Sequence, residues 1–295
     1  MKNPPIRLVL AGLLLLISSV IATPPTSFSI NSGGDALVPQ ASESLHLTLG
    51  NPSGATRSFD HMDNFLLVKP QFALSFNNSK GGPNWVSWHL KRSDIGSQSR
   101  GDFHTDDGLP ERFKHITKAD YTGSGFDRGH LCNSKDRTNT RLNNDATFNM
   151  TNILPQTADN NRGPWVKLET YSRTLVDGDT KELYIVAGAF GSSAEIANGQ
   201  VNVPTVFWKV IVVLPKGNDD VSRINNTTRT IAVCMPNVNG IRSDSWRKYV
   251  TTIRNVEAAT GYDFLSEVAS RIQDAIETRR DSMGTGPASK NPCQP

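Results

Sequence analysis

From Phe65 onward the chain alternates short apolar runs with polar, glycine-bearing stretches. Residues 65–68, 72–76 and 85–90 carry aromatic and β-branched side chains in alternation, the period-2 pattern of strands. Asn77-Asn-Ser-Lys-Gly-Gly82 separates the last two with turn chemistry and predicts a hairpin. The same reasoning predicts strands at 126–131, 146–154, 183–188, 205–214 and 230–235, whereas 246–253 fits a strand or a helix. Thr157-Ala-Asp159-Asn160 has helix-start chemistry, with Asp159 or Asn160 as N-cap and Pro164 tolerated in the first turn. Beyond it, Asn161, Trp165, Glu169 and Arg173 recur every four residues as one helical stripe, with Leu168, Leu175 and Val176 on a neighbouring face. Residues 266–279 repeat apolar positions at Val268, Ile272 and Ile276. The stretches 92–118 and 136–144 read as loops, and a loop as long as the first is usually functional. Strands outnumber helices throughout, so residues 59–280 predict a single α+β domain built on a large mixed or antiparallel central sheet. Trp85 and Trp88 read as sheet packing, His89 as structural, and His46 and His61 as surface histidines.

The ends read differently. Residues 1–22 begin with Lys2 and Arg7, continue through an apolar run of 15 residues at 8–22 and finish on Val20-Ile-Ala22, the pattern of a cleaved secretory signal. The run is short of the ~20 residues that span a bilayer, so a secreted or periplasmic protein without a membrane segment after cleavage is expected. Residues 23–58, rich in Ser, Pro, Gly and Thr, read as a flexible leader in which 45–49 fits a short strand on the body. Residues 281–295 read as a disordered tail. The full chain carries +3; the signal holds two cations and no acid, so the mature chain carries +1. Net charge therefore does not announce a nucleic-acid partner, and any anion-binding surface must be a local patch. Three cysteines exclude a disulfide scaffold. Cys132 and Cys234 fit small buried hydrophobes, with a Cys132–Cys234 bridge as the lesser alternative. No CxxC or HxxxH spacing offers a zinc site.

Two stretches carry the chemistry. Gly123-Ser-Gly-Phe-Asp127-Arg128-Gly129-His130 brings a carboxylate, a guanidinium and an imidazole to one glycine-loosened turn; Asp159-Asn160-Asn161-Arg162-Gly-Pro-Trp165 follows about 30 residues later. Histidine suits proton abstraction near neutral pH, and the Asn161 amide oxygen is a hard donor of the kind Mg²⁺ accepts. With arginines beside them, these groups suit the cleavage of a phosphodiester.

The ordered set Ala73-Leu-Ser-Phe-Asn-Asn-Ser-Lys-Gly, Asn84-Trp-Val-Ser-Trp88, Asp127-Arg-Gly-His130, Ala146-Thr-Phe-Asn-Met-Thr-Asn152, Pro155-Gln156, Asn160-Asn161-Arg162, Leu183-Tyr-Ile-Val-Ala-Gly188 and Thr260-Gly-Tyr-Asp-Phe264 resembles the DNA/RNA non-specific endonuclease family. These are the ββα-metal nucleases of the Serratia nuclease and endonuclease G type, and the chain is most similar to their secreted cyanobacterial, sugar-non-specific members. The resemblance covers 72–276. It implies a central sheet with helices on both sides and a ββα finger that carries the site. It also implies hydrolysis of DNA and RNA, single- and double-stranded, to 5′-phosphate products, with one Mg²⁺ or Mn²⁺ and no small-molecule cofactor. In site terms it implies His130 as general base, Asn161 as direct metal ligand and Glu169 as ligand through water. Arg128 and Arg173 then lie on phosphate, and Asp127 fixes the turn or Arg128. The family's loop arginine falls at His104 here, so either His104 or Arg100 takes its place. At 246–253 the resemblance favours a strand, followed by a short helix at 255–259 closed by Gly261. Possible protein inhibitors are unspecified. The competing reading from another class is a secreted nucleic-acid-binding protein with a catalytically impaired site; a small-ester phosphodiesterase lacks the multi-carboxylate metal cluster it would need.

Overall fold

The computed structural model describes Met1, residues 44–287 and residues 291–294. The expected signal at 1–22, apart from Met1, and the leader as far as residue 43 lie outside the described residues. Eleven strands are formed: β1 Phe65–Val68, β2 Ala73–Asn77, β3 Gly82–Leu90, β4 Asp127–His130, β5 Ile153–Gln156, β6 Lys181–Phe190, β7 Ala194–Ile196, β8 Val201–Val203, β9 Val206–Pro215, β10 Arg229–Pro236 and β11 Val250–Thr251. The helices are α1 Arg141–Ala146, α2 Ala158–Asn160, α3 Val166–Val176, α4 Asp220–Arg223, α5 Ile253–Thr260 and α6 Ser270–Glu277.

Seven strands make the main sheet in the order β1-β2-β3-β6-β9-β10-β11, with every neighbouring pair antiparallel. The expectation of a mixed or antiparallel sheet thus resolves to antiparallel. β9 lies inside it, between β6 and β10, and is buried on both faces, as its near-continuous apolar run requires. Alternation along β9 feeds two cores. Phe207, Ile211 and Val213 pack with Trp88, Trp165, Leu168 and Val176 on the α3 side. Trp208, Val210, Val212 and Leu214 pack with Ile253, Val256, Phe264 and Ile276 on the α5–α6 side. Helices therefore cover both faces, and Trp85 and Trp88 are wholly buried in the sheet, as their alternation predicts. A separate ribbon, β4 with β5, leads directly into α2 and α3 and forms a ββα unit on the α3 side.

Several expectations are corrected. Residues 45–49 do not form a strand: Leu45–Leu47 is a 3₁₀ turn capped by Ser44, and Leu47, Leu49 and Ala55 are buried on the body, so residues 44–58 belong to it rather than to a leader. His46 is no surface histidine. Its Nε2 meets Pro70 O at 2.9 Å and its Nδ1 accepts the His89 amide at 3.2 Å. The loop read at 136–144 holds a 3₁₀ turn at Ser134–Arg137 and then α1, because Thr140 Oγ1 caps Asn143 N and Asn144 Nδ2 donates to Ser134 O. The strand expected at 146–154 shrinks to β5, with Met150–Asn152 a 3₁₀ turn. At 246–253 both alternatives are used in part: Trp246–Tyr249 is a 3₁₀ turn, β11 follows, and α5 closes on Gly261 at φ 74°.

The C-terminal segment is tied down at two points. Arg229 pairs with the buried Asp281 at 2.7 Å, and Cys234 is disulfide-bonded to Cys293. The cysteine expectation is corrected accordingly. Cys234 bridges the tail, while Cys132 remains a buried free thiol, its pKa pushed up to about 12 by burial.

Candidate active site

The ββα unit frames a cleft of about 400 Å³, lined by Arg100, Arg128, His130, Asn161, Glu169 and Arg173 among others. The strand that carries His130 packs tightly against its partner β5. Gly129 does not take a positive φ; it is glycine because a Cβ there would lie 2.4 Å from Gln156 Oε1 on the paired strand. The turn that delivers the strand does use positive φ, at Gly123 and Gly125.

His130 ends β4. Its ring stands edge-on to Phe148 at 4.9 Å and tilted to Phe103 at 5.3 Å. The Trp165 indole donates to its backbone carbonyl at 3.3 Å. Its Nε2 is buried and has no hydrogen-bond partner among the described residues. Burial first, and then the positive Arg100, lower its pKa to about 3, so the imidazole is neutral.

Asn161 opens the helical run. The N-cap is neither Asp159 nor Asn160, as expected, but Thr157, whose Oγ1 accepts Asn160 N at 3.3 Å; Asp159 instead accepts the Gly240 amide, and Asn160 is buried against Gln156 and Pro236. A π-helical turn at Asn161–Trp165 then separates α2 from α3. Pro164 fits this irregular turn because it has no N–H to lose. Gly163 fits because a Cβ would lie 2.7 Å from Arg242 Cα. The wide turn breaks the expected four-residue stripe. Asn161, Glu169 and Arg173 reach the cleft, whereas Trp165 turns into the core against Phe207.

The Asn161 amide is fixed by its nitrogen. Nδ2 donates to Asp127 Oδ2 at 2.9 Å, and Asp127 also receives Arg162 through Nε at 2.8 Å and NH2 at 2.6 Å. Asp127, expected to fix the turn or Arg128, therefore holds Asn161 and Arg162. Asn161 Oδ1 is left without a hydrogen bond among the described residues. Glu169 is 4 % exposed; its Oε2 accepts Asn133 Nδ2 at 2.6 Å, while Oε1 is buried with no hydrogen bond. Burial raises its pKa, opposed chiefly by Lys209. Arg173 does not pair with Glu169 along the helix but with Asp136 across it, at 3.0 Å. Two oxygens without donors, one in an amide whose other end is anchored and one in a buried carboxylate, are the donor types a hard divalent cation takes.

Arg128 donates to Lys118 O at 2.6 Å and lies 5.5 Å from the Phe103 ring. Arg100 lines the cleft with its guanidinium 5.1 Å from the Phe148 ring. His104 does not line it. The ring is exposed, with Nδ1 3.0 Å from Thr105 O and Nε2 3.2 Å from Asp145 O. Of the two alternatives, the fold brings Arg100 to the site and leaves His104 outside. With Lys135 and Arg162 added, cations dominate the cleft wall, the local patch that a near-neutral chain needs in order to bind a polyanion. Asn133, Asp136 and Lys209 were missed as site residues. Lys209 had a signal, a lone lysine inside an apolar strand; Asn133 and Asp136 had none beyond proximity to His130.

Among the described residues, His89, Glu182 and Asp220 place possible ligand atoms within 4.8 Å of one another. Arg223 pairs with both carboxylates and Tyr184 donates to Asp220, so this cluster is a saturated ion-pair network, not an open metal site.

A family model for DNA/RNA non-specific endonuclease matches residues 54–271. The chain belongs to the DNA/RNA non-specific endonuclease family. It is thus a hydrolase of the nuclease type, and the ββα architecture is that of its family. The chain is 49 % identical over 240 residues to a nuclease of Nostoc sp., covering 81 % of this chain and 87 % of that one. It is 30 % identical over 244 residues to nuclease C1 of Cunninghamella echinulata, covering 77 % and 89 %. It is 29 % identical over 221 residues to mitochondrial endonuclease G of Bos taurus, covering 70 % and 71 %. In fold, this endonuclease superposes with a TM-score of 0.65 on a crystal structure of the EndoG/EndoGI complex, at 22 % identity, covering 83 % of this chain and 99 % of that one. No helix among the described residues is long and apolar enough to cross a membrane.

Proposed function

We propose that this endonuclease is an exported, divalent-metal-dependent enzyme that hydrolyses phosphodiester bonds in both DNA and RNA, without preference for the sugar or strong preference for sequence. The observation that carries the reading is His130. A neutral imidazole with an unpartnered Nε2 shares one cleft with the free amide oxygen of Asn161 and four arginines.

Asn161 Oδ1 would hold one Mg²⁺ or Mn²⁺ directly and Glu169 would hold it through water; when bound, the ion would supply Lewis-acid stabilisation of charge on the phosphoryl group. His130 takes a proton from the attacking water as the water oxygen bonds to phosphorus. The P–O3′ bond breaks, O3′ takes a proton from solvent water and leaves as the 3′-hydroxyl, and the phosphate stays on the 5′ carbon. An entering phosphate anion opposes one of the two causes of the low His130 pKa, the positive charge of Arg100, and leaves the other, burial, so the base gains strength as substrate binds. Arg100, Arg128 and Arg173 bind and orient the phosphate through charge-assisted hydrogen bonds. Water as nucleophile, in place of a ribose 2′-hydroxyl, makes the reaction indifferent to the sugar.

Export is supported by the pattern of residues 1–22 and by the Cys234–Cys293 bridge, a bond that persists in oxidising compartments. A protein inhibitor, like that of the EndoG/EndoGI complex, is a partner class suited to the open cleft. The test is cleavage of plasmid DNA and of structured RNA, each with Mg²⁺ and with EDTA. Cleavage of both that EDTA abolishes is expected. Binding without cleavage in Mg²⁺ identifies the impaired binding protein instead.

A further inference from the structure

Lys209 occupies the middle of β9, between Trp208 and Val210, and is 1 % exposed. Alternation aims it at the same side as Phe207 and Ile211, the side covered by α3. Its ammonium lies 4.1 Å from the Trp165 ring centroid and 5.3 Å from that of Trp88. Nζ has no hydrogen-bond partner, and 3.7 Å away is Glu169 Oε1, buried and equally without one. Two opposite charges therefore face each other inside the protein with indoles as walls. Core packing does not explain a lysine here. A methionine fills similar space without the desolvation penalty of a buried ion. What the lysine adds is positive charge directly behind the cleft.

The neighbouring charges define its effect. Asp136, also buried, accepts Arg173 NH1 at 3.0 Å and the Trp88 indole at 3.1 Å, and Glu169 Oε2 is held by the neutral Asn133. Lys209 and Arg173 are thus the two cations set against two buried carboxylates. Without Lys209, both carboxylates draw on Arg173, which is also the cation that lines the cleft.

We propose that Lys209 is a positioning residue for the nuclease reaction: from within the sheet its ammonium holds the Glu169 carboxylate in place and so leaves Arg173 available to the cleft. The proposal rests on the role given above to Glu169.

The experiment compares Lys209→Met, Glu169→Gln and the double variant in the otherwise intact protein. Four quantities are read: kcat and KM on one plasmid, Mg²⁺ affinity by calorimetry without nucleic acid, and Tm. Lys209→Met is expected to lower Tm, because it leaves the Glu169 carboxylate buried without its cation, to lose about 10–100-fold in kcat and in Mg²⁺ affinity, as supporting residues around metal ligands do, and to change KM little. The double variant should be no slower than Glu169→Gln. Wild-type kcat and Mg²⁺ affinity in Lys209→Met overturn the proposal, as does a lowered Tm with unchanged kcat. A double variant tenfold slower than Glu169→Gln also overturns it. If Lys209→Met does not fold, Lys209→Gln, which keeps a donor but no charge, is held to the same expectations. A wild-type rate in Glu169→Gln removes the role of Glu169 itself, and the proposal with it. A loss there without a loss in Lys209→Met removes Lys209 alone.

Discussion

Asp127 holds Asn161 by the nitrogen of its amide, at 2.9 Å, while both its carboxylate oxygens are engaged by Arg162. A planar amide anchored at one end presents its oxygen at the other, so a residue of the DRGH stretch sets the aim of the Asn161 amide oxygen, 34 positions later and proposed above as the metal ligand. Asp127→Ala is expected to weaken Mg²⁺ binding about 10–100-fold, and Asn161→Ala to weaken it further. Both should bind nucleic acid in EDTA nearly as wild type does. Calorimetric Mg²⁺ titration and filter binding separate the two properties. Wild-type Mg²⁺ affinity in Asn161→Ala would assign the ion to another residue.

His130→Ala is expected to fold normally and to lose about 10²–10⁴ in turnover, the range for removing a general base. The pH profile is the sharper check. The base works in its neutral form, and burial together with Arg100 lowers its pKa to about 3. Lowering the pH from 8 to 5.5 therefore leaves the free enzyme's base unprotonated, and kcat/KM should hold level across that window at saturating Mg²⁺. An acid limb with its midpoint near 6.5, the ordinary histidine value, would show that His130 is not the buried, neutral group described.

The strands of the main sheet were legible because their apolar alternation is local, and so was the α3 face bearing Leu168 and Val176. His130, Asn161, Glu169, Arg128 and Arg173 were found by motif and spacing, and the fold gathers them in one cleft. What local pattern does not carry was missed. The π-helical turn that rotates Trp165 into the core depends on the contact between Gly163 and the Arg242 backbone, 79 residues away in the chain. His46 read as exposed because its partners, Pro70 and His89, are supplied by tertiary packing. Asp136 and Lys209 become site residues only once β9 is laid under α3.

The Cys234–Cys293 bond closes a 59-residue separation over the back of the sheet. In the chain-entropy model such a loop stabilises by about 4 kcal/mol. Cys293→Ser, or reduction with dithiothreitol, should therefore lower Tm by several degrees without changing kcat, since the bond lies on the α5–α6 side. Identical melting with and without reductant would show that the bond does not form.

Glu277 gives a stability term of the opposite sign to most carboxylates. Neither of its buried oxygens has a hydrogen bond, and Arg254 stands 3.1 Å from one of them. Burial first, then Glu257, raise its pKa to about 7. A folded pKa above the unfolded value means that the folded state holds the proton more tightly. Its stabilising contribution is complete below the unfolded value near 4.3 and is lost as pH rises toward 7. Glu277→Gln should accordingly raise Tm at pH 8 and change it little at pH 4. A lower Tm at pH 8 would mean that the ion pair with Arg254 outweighs the burial of the charge.

Arg100 and His104 are separated by three residues, yet the loop turns only the first into the cleft. The Arg100 guanidinium lies over Phe148, whose ring stands beside that of His130. The His104 ring points to the carbonyls of Thr105 and Asp145. Arg100→Ala should therefore lose about 10²–10³ in kcat, the effect of removing one preorganised donor to a charged transition state. It should also relieve one of the two causes that lower the His130 pKa, moving the acid limb of kcat/KM to higher pH. His104→Ala and His104→Arg should both stay within about twofold of wild type and share its pH profile, because a side chain outside the cleft changes neither the phosphate contact nor the field on His130. Cleavage by all four proteins, followed from pH 9 down to about 3 so that the acid limb is reached, decides it. A rate in His104→Arg well above wild type, with Arg100→Ala unimpaired, would return the phosphate contact to position 104.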